Sequence, residues 1–293
     1  MTLPDVQALR SKHDFRLTRV GVTGVQKPVR ILRPGREEAH AIHARFDVFV
    51  DLPAEQRGVH MSRNLEVVAE ILDRAVREAK PGLEWVVEEI ARSLLDRHDY
   101  ATVAEVEAEA TFFIEQRTPS GARTLEPYGL IAKAKAHREQ GVRRSIGVIV
   151  TGMTACPCAM ETTQHLLEQE RGATIQNAPS VTHNQRNKTL LLIDVREGND
   201  IDAEDLVSMV EESMSAPTYE LLKRGDEARL VLQAHDNPRF VEDVVRELLS
   251  RVVKAYGHLP EDTIVTVKSE AEESIHKHNA FAERVTTLGE LAS

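Results

Sequence analysis

Apolar positions along this chain change period in a fixed order, strands, then two helices, then strands, and the order then recurs. In the first round, segments 15–22, 29–32 and 39–52 alternate and carry β-branched residues, which predicts strands. Gly24 and Arg33-Pro34-Gly35 punctuate them. Leu65, Val68, Ile71, Leu72, Ala75, Val76 and Ala79 recur at helical spacing, with Ser62 as the expected N-cap and Pro81-Gly82 as the stop. Leu83, Val86, Val87, Ile90, Ala91, Leu94 and Leu95 mark a second helix. Strands over 101–116 and 123–136 follow, joined by Thr118-Pro119-Ser120-Gly121. In the second round, 145–151, 189–195 and 263–267 read as strands and 202–214 as a helix. Phe240, Val241, Val244, Val245, Leu248, Leu249, Val252 and Val253 give a strongly amphipathic helix. The repeated ββααββ order predicts two similar modules meeting near 140–144, in a protein mixing helix and sheet. Segment 159–182 is long for a connection, and long loops are often functional.

Bulk properties exclude several classes. No apolar run approaches the ~20 residues that span a bilayer, and residues 1–16 lack the apolar region of a secretory signal. The 2 cysteines, separated by one proline, make a poor disulfide framework, so a cytoplasmic protein is expected, with no membrane partner. A net charge of −10 argues against nucleic-acid binding through bulk positive charge, and 4% aromatics argues against base-stacking platforms. A local cluster of Lys and Arg still suffices for a small anionic substrate.

The chemistry-bearing residues fall in separate runs. Cys156-Pro157-Cys158 follows the apolar stretch 146–150, and the proline predicts a tight turn that prevents helix there. The two thiols are either a ligand or nucleophile with a structural companion, or simply two small buried residues. His183 lies in a wholly polar run just before a buried strand, where a solvated loop is the ordinary reading and nearness to Cys156 favours a ligand. Leu222-Lys223-Arg224-Gly225-Asp226-Glu227 reads as a helix C-terminus capped by Gly225, with basic residues on its dipole; alternatively Glu227 serves a metal and Lys223 or Arg224 a phosphate. Glu242 and Asp243 open the amphipathic helix as its wet face or as a carboxylate for paired N–H donors. His276 and His278, at i and i+2, would share one side of a strand, with Glu273 beside them as an acid, a base or a supporting group. No Walker loop, dinucleotide fingerprint, nucleophile elbow or kinase set is present.

Taken in order, Thr154-Ala155-Cys156-Pro157-Cys158, His183-Asn184-Gln185-Arg186, Leu221-Leu222-Lys223-Arg224 with Asp226-Glu227, Asn237-Pro238-Arg239-Phe240-Val241-Glu242-Asp243 and Glu273-Ser274-Ile275-His276 resemble the type IB GTP cyclohydrolases. Leu3-Pro4-Asp5-Val6-Gln7 and Leu17-Thr18-Arg19-Val20-Gly21-Val22 resemble the archaeal, methanopterin-pathway branch. The resemblance implies an α+β tunnelling fold, with tandem ββααββ modules at 1–141 and 142–293 that assemble into a homo-oligomeric barrel, a dimer or tetramer. The second module would carry most of the metal site. It implies Cys156, His183, Glu227 and His276 as metal ligands, with Fe(II) first and Zn or Mn as alternatives. Glu242 would bind guanine; Arg186, Lys223 and Arg224 would meet phosphate; Cys156, His276 and Glu273 would be catalytic. The implied reaction converts GTP to 7,8-dihydroneopterin 2′,3′-cyclic phosphate, formate and pyrophosphate. The alternatives are the bacterial product, 7,8-dihydroneopterin triphosphate, a same-fold NADPH-dependent nitrile reductase with Cys156 as nucleophile, and a scaffold with structural zinc.

Overall fold

The computed structural model describes residues 5–33, 35, 37–171, 181–195 and 199–292. Leu3 and Pro4 of the opening motif, and positions 172–180 of the long connection, lie outside the described residues. In chain order the elements are β1 (Leu17–Ile31), β2 (His40–Leu52), α1 (Met61–Arg77), α2 (Leu83–Arg97), β3 (Val103–Arg117), β4 (Arg123–His137), β5 (Gly141–Ala155), α3 (Pro157–Arg171), β6 (Asn184–Val195), α4 (Ala203–Ser213), β7 (Ala216–Pro217), α5 (Arg224–Asp236), α6 (Val241–Tyr256), β8 (Ile264–Ala271), β9 (Ala280–Thr287) and α7 (Leu288–Ala292). The strands hydrogen-bond in the order β1-β2-β3-β4-β5-β6-β8-β9, with β7 on β5. This is an α+β chain with a large antiparallel sheet. Among the described residues no helix is long and apolar enough to cross a membrane.

The chain folds as two compact units. The first comprises 1–112, 129–146 and 194–200. Within it β2 buries Phe46, Val48 and Val50 at alternate positions, opposite Ala108, Val106 and Ala104 of β3. Ile71 and Leu72 of α1 and Val86, Val87, Ile90 and Leu94 of α2 complete that core. Full burial of each such large side chain contributes about 1.5–3 kcal/mol, which fixes the register of β2 on β3. The two short strands expected over 15–32 are one strand, β1. Its pairing shifts between Val22 and Val25, where Gly24 takes φ +74°, so this glycine makes a bulge and does not end the strand. Ser62 is not the N-cap of α1; His60 holds that position, without a side-chain cap. His98 is fully buried, with Nε2 at 2.6 Å from Asn64 Oδ1 and Nδ1 at 2.7 Å from the Tyr100 hydroxyl.

The second unit comprises 113–128, 147–193 and 201–293. Here β6 and β8 pair Leu191 with Val267 and Ile193 with Val265, all fully buried. The apolar stripe of α6 lies against them, with Val244, Leu248 and Val252 fully buried. Asp202 caps α4, its carboxylate accepting from the Glu204 N–H at 2.9 Å. Two local expectations are corrected. Pro157 does not prevent a helix but begins one, α3, because at the first helical position its missing N–H costs nothing and its φ is already suitable. The segment 222–227 is a helix N-terminus: α5 starts at Arg224 after the N-cap Lys223, and Gly225 caps nothing. Asp226 and Glu227 occupy the first turn, where the helix dipole favours carboxylates.

Candidate active site

Four segments of the second unit line a pocket of about 230 Å³. Cys156 comes from the end of β5 and Gln185 from the start of β6. Arg239, Phe240, Val241 and Glu242 come from the entry into α6, and Glu273, Ala280 and Phe281 from the stretch between β8 and β9. Backbone hydrogen bonds hold these segments together. The Cys156 N–H donates to the His183 carbonyl at 3.1 Å, and the Arg239 N–H to the Ala155 carbonyl at 3.0 Å. The Glu272 N–H donates to the Arg186 carbonyl at 2.8 Å, and the Thr182 hydroxyl to the Cys156 carbonyl at 2.7 Å.

Gln185, buried at the start of β6, ties the polar residues into one network. Its Nε2 donates to Glu273 Oε1 at 3.4 Å and Thr154 Oγ1 at 3.3 Å, and its Oε1 lies 2.9 Å from His183 Nδ1. A carboxylate oxygen accepts, so the amide nitrogen faces Glu273 and the amide oxygen faces His183. His183 therefore donates through Nδ1–H, and Nε2 is the ring nitrogen that this network does not use. Glu273 Oε2 lies 3.7 Å from the same imidazole.

The other expected residues are placed as follows. Glu242 sits in the first turn of α6 and lines the pocket. Glu227 is exposed on the first turn of α5, whereas its neighbour Asp226 is buried, Oδ2 accepting from the Ser120 hydroxyl at 2.8 Å. His276 and His278 are exposed between β8 and β9 and not on a strand; their rings stack with centroids 5.1 Å apart. Arg186, Lys223 and Arg224 are exposed, as is Cys158.

Thiolate, imidazole and carboxylate are donors suited to zinc or iron. Among the described residues Cys156 Sγ meets the Ala159 N–H, at 3.5 Å, and His183 is tied through Nδ1, so Sγ and Nε2 are the atoms that fit a metal. Among the described residues no group of three or more His, Cys, Asp or Glu is arranged to hold an ion. Residues that the sequence reasoning did not single out also line the pocket: Gln185, Arg239, Phe240 and Phe281. Gln185, Arg239 and Phe240 stand inside quoted motifs, but only tertiary placement shows that they share a cavity with Glu242.

Residues 3–282 match the family model described as type I GTP cyclohydrolase folE2. The chain belongs to this family. GTP cyclohydrolase MptA of Methanoculleus marisnigri is 44% identical over 307 residues, covering 100% of this chain and 98% of that protein. GTP cyclohydrolase MptA of Methanothermobacter thermautotrophicus is 44% identical over 301 residues, covering 98% and 94%. Among solved structures, uricase from Arthrobacter globiformis aligns with a TM-score of 0.55 at 9% identity, covering 94% of this chain and 96% of that one. A uricase from Bacillus fastidious aligns at 0.53 with 10% identity, covering 96% of each. At such identity the likeness is one of fold alone, a uricase-like architecture.

Proposed function

We propose that this chain is a metal-dependent GTP cyclohydrolase. It would open the imidazole ring of GTP, release carbon 8 as formate, and yield 7,8-dihydroneopterin 2′,3′-cyclic phosphate and pyrophosphate in methanopterin synthesis. The observation that carries the reading is the convergence of Cys156, Glu242 and Glu273 on one pocket in a chain matched by the family over 3–282. The relatives named above support the methanopterin branch over the bacterial triphosphate product.

Cys156, His183, Glu227 and His276 would hold the ion, Fe(II) first, with Zn or Mn alternatives. When bound, such an ion lowers the pKa of its water to about 7 and supplies hydroxide at neutral pH. The remaining work belongs to side chains. Glu242 accepts from the N1–H and 2-amino groups of guanine, an edge whose donors adenine lacks. Gln185 orients His183 and Glu273. Glu273, at the pocket wall, takes and returns protons as the ring is hydrated and opened, with His276 as its partner. Arg186, Lys223 and Arg224, all exposed cations, meet the triphosphate. The exposure of Glu227 and His276 suits a site completed by a second copy, in keeping with a homo-oligomeric barrel of modules 1–141 and 142–293. The setting would be cytoplasmic.

The test is to incubate anaerobically purified, metal-defined protein with GTP and identify products by mass. Formate, pyrophosphate and the cyclic phosphate are expected. Dihydroneopterin triphosphate would move the chain to the bacterial reaction. Turnover of a nitrile with NADPH, in protein free of metal, would overturn the hydrolase reading.

A further inference from the structure

The pocket holds one guanidinium that the proposed reaction has not used. Arg239 lines the same cavity as Glu242, three positions before it. Its side chain is pre-positioned. Nε donates to Asn237 Oδ1 at 3.1 Å, and Asn237 Nδ2 donates in turn to the Met214 carbonyl at 3.0 Å. Glu247 Oε2 forms an ion pair with Nη1 at 3.9 Å, beyond hydrogen-bond range. Among the described residues Nη2 has no hydrogen-bond partner, so the guanidinium keeps a donor for an acceptor in the cavity.

That acceptor belongs to a base and not to a phosphate, for two reasons. The lining carries two carboxylates, Glu242 and Glu273, against the single cation Arg239, and a triphosphate would be repelled there. The about 230 Å³ of this cavity is also below the ~300–1,000 Å³ of whole-ligand sites, so it suits the ring system and not the full nucleotide. Phe240 and Phe281, both partly exposed and both in the lining, supply apolar surface for a planar ring. In guanine the 6-oxo group adjoins N1. A carboxylate on the N1–H and 2-amino donors leaves that oxygen beside it as the next group to satisfy.

We propose that Arg239 donates to the 6-oxo oxygen of the bound purine, so that Arg239 and Glu242 together select 6-oxopurine nucleotides. This rests on reading the pocket as the guanine site. An amine in place of the oxygen, as in adenine, would set donor against donor.

The experiment compares wild-type protein with Arg239→Met and Arg239→Lys, measuring affinity and the rate of formate release. The probes are GTP, ITP and 2-aminopurine riboside triphosphate. ITP keeps the 6-oxo group and the N1 proton and lacks the 2-amino group. The 2-aminopurine nucleotide keeps the 2-amino group and lacks both the 6-oxo group and the N1 proton, so it binds wild type more weakly than GTP and only its ratio between variant and wild type is read. Arg239→Met is expected to weaken GTP and ITP alike, by about 10- to 100-fold, as for a lost hydrogen bond to a charged group. The 2-aminopurine nucleotide, with no oxygen to lose, should bind the variant as it binds wild type. Should the methionine variant not fold, Arg239→Lys carries the test, because it keeps the charge but not the planar fork, and only GTP and ITP should suffer. Equal losses on all three nucleotides, or none on GTP, would overturn the assignment while leaving the cyclohydrolase reading intact. Wild-type protein that neither binds GTP nor releases formate from it would overturn both.

Discussion

Replacing Gln185 tests whether the network beside the pocket tunes His183 or merely fills space. Gln185→Met keeps the volume of a buried side chain, so no cavity penalty arises. It removes one well-formed hydrogen bond, 2.9 Å to His183, and two long ones, 3.3 Å to Thr154 and 3.4 Å to Glu273. The first is worth about 1 kcal/mol net and the long ones less, so a stability loss of about 1–2 kcal/mol is expected. The larger effect should be on the imidazole, which loses the acceptor that holds the proton on Nδ1. Loss of such an orienting partner typically costs about 10- to 100-fold in metal affinity. The assay is a chelator competition for bound cobalt or zinc, together with nitrogen NMR of the His183 ring. Gln185→Glu separates the two effects. It returns an acceptor to Nδ1 but sets a like charge against Glu273, so it should restore metal affinity and ring tautomer while remaining less stable than wild type. The reasoning is refuted if Gln185→Met retains metal as wild type does, or if the glutamate variant recovers stability without recovering affinity.

His98 gives an acid-lability prediction. Burial, and then the charge of Arg63, pushes its pKa down to about 4 from the ordinary 6.5. The unfolded chain therefore binds a proton between those values that the folded chain refuses. Stability from this group is complete above about pH 6.5 and is lost as pH falls toward 4, by about 1–3 kcal/mol. Denaturant unfolding at pH 7 and pH 4.5 should show a smaller acid loss in His98→Gln than in wild type; parallel losses would contradict it. Glu242→Gln should weaken GTP binding by about 10- to 100-fold, as for a lost charged acceptor, while leaving bound metal in place by elemental analysis. Unchanged GTP affinity would mean that guanine is read elsewhere.

Legibility in the sequence followed the range of the physics involved. The stripe of α6 was readable because Val244, Leu248 and Val252 repeat at the helical period and all face the core. The strands of β2 and β6 were readable for the same reason at period two. Local punctuation was ambiguous wherever one residue type serves two ends. Pro157 marks a break in an extended segment, but it also suits the first position of a helix, and α3 follows it. Gly225 suggested a C-terminal cap, yet Asp226 and Glu227 beyond it are what a first turn prefers, and that preference prevailed. Gly24 looked like a strand end because a bulge and a turn both require a positive φ. At the pocket, Cys156, Glu242 and Glu273 were found through motif order. Gln185 and Arg239 stand inside the same motifs but could not be singled out, since Gln185 touches Glu273 88 positions away and Arg239 is held by Asn237, which touches Met214 23 positions away. No local pattern encodes such a contact.

The division between buried and exposed residues bears on how the two halves of the proposed site are made. The groups proposed to read the base, Glu242 and Arg239, belong to the turn that begins α6 and share one pocket within the second unit. Two of the four proposed ion ligands are different. Glu227 follows Asp226 on α5, and successive helical residues differ by about 100°, so the burial of Asp226 against Ser120 turns Glu227 outward. His276 is likewise exposed. On the proposed reading, recognition of the base would be a property of one chain, whereas a full set of ion ligands would require other surfaces to be brought to Glu227 and His276. On dilution, metal retention should fall with a concentration dependence that matches dissociation of the assembly, measured by sedimentation and elemental analysis on the same samples. Binding of guanosine, which lacks phosphate and so reports the base pocket alone, should persist across that range. Guanosine affinity that collapses at the same concentration as metal content would place the base pocket, too, among the features that only the assembly creates.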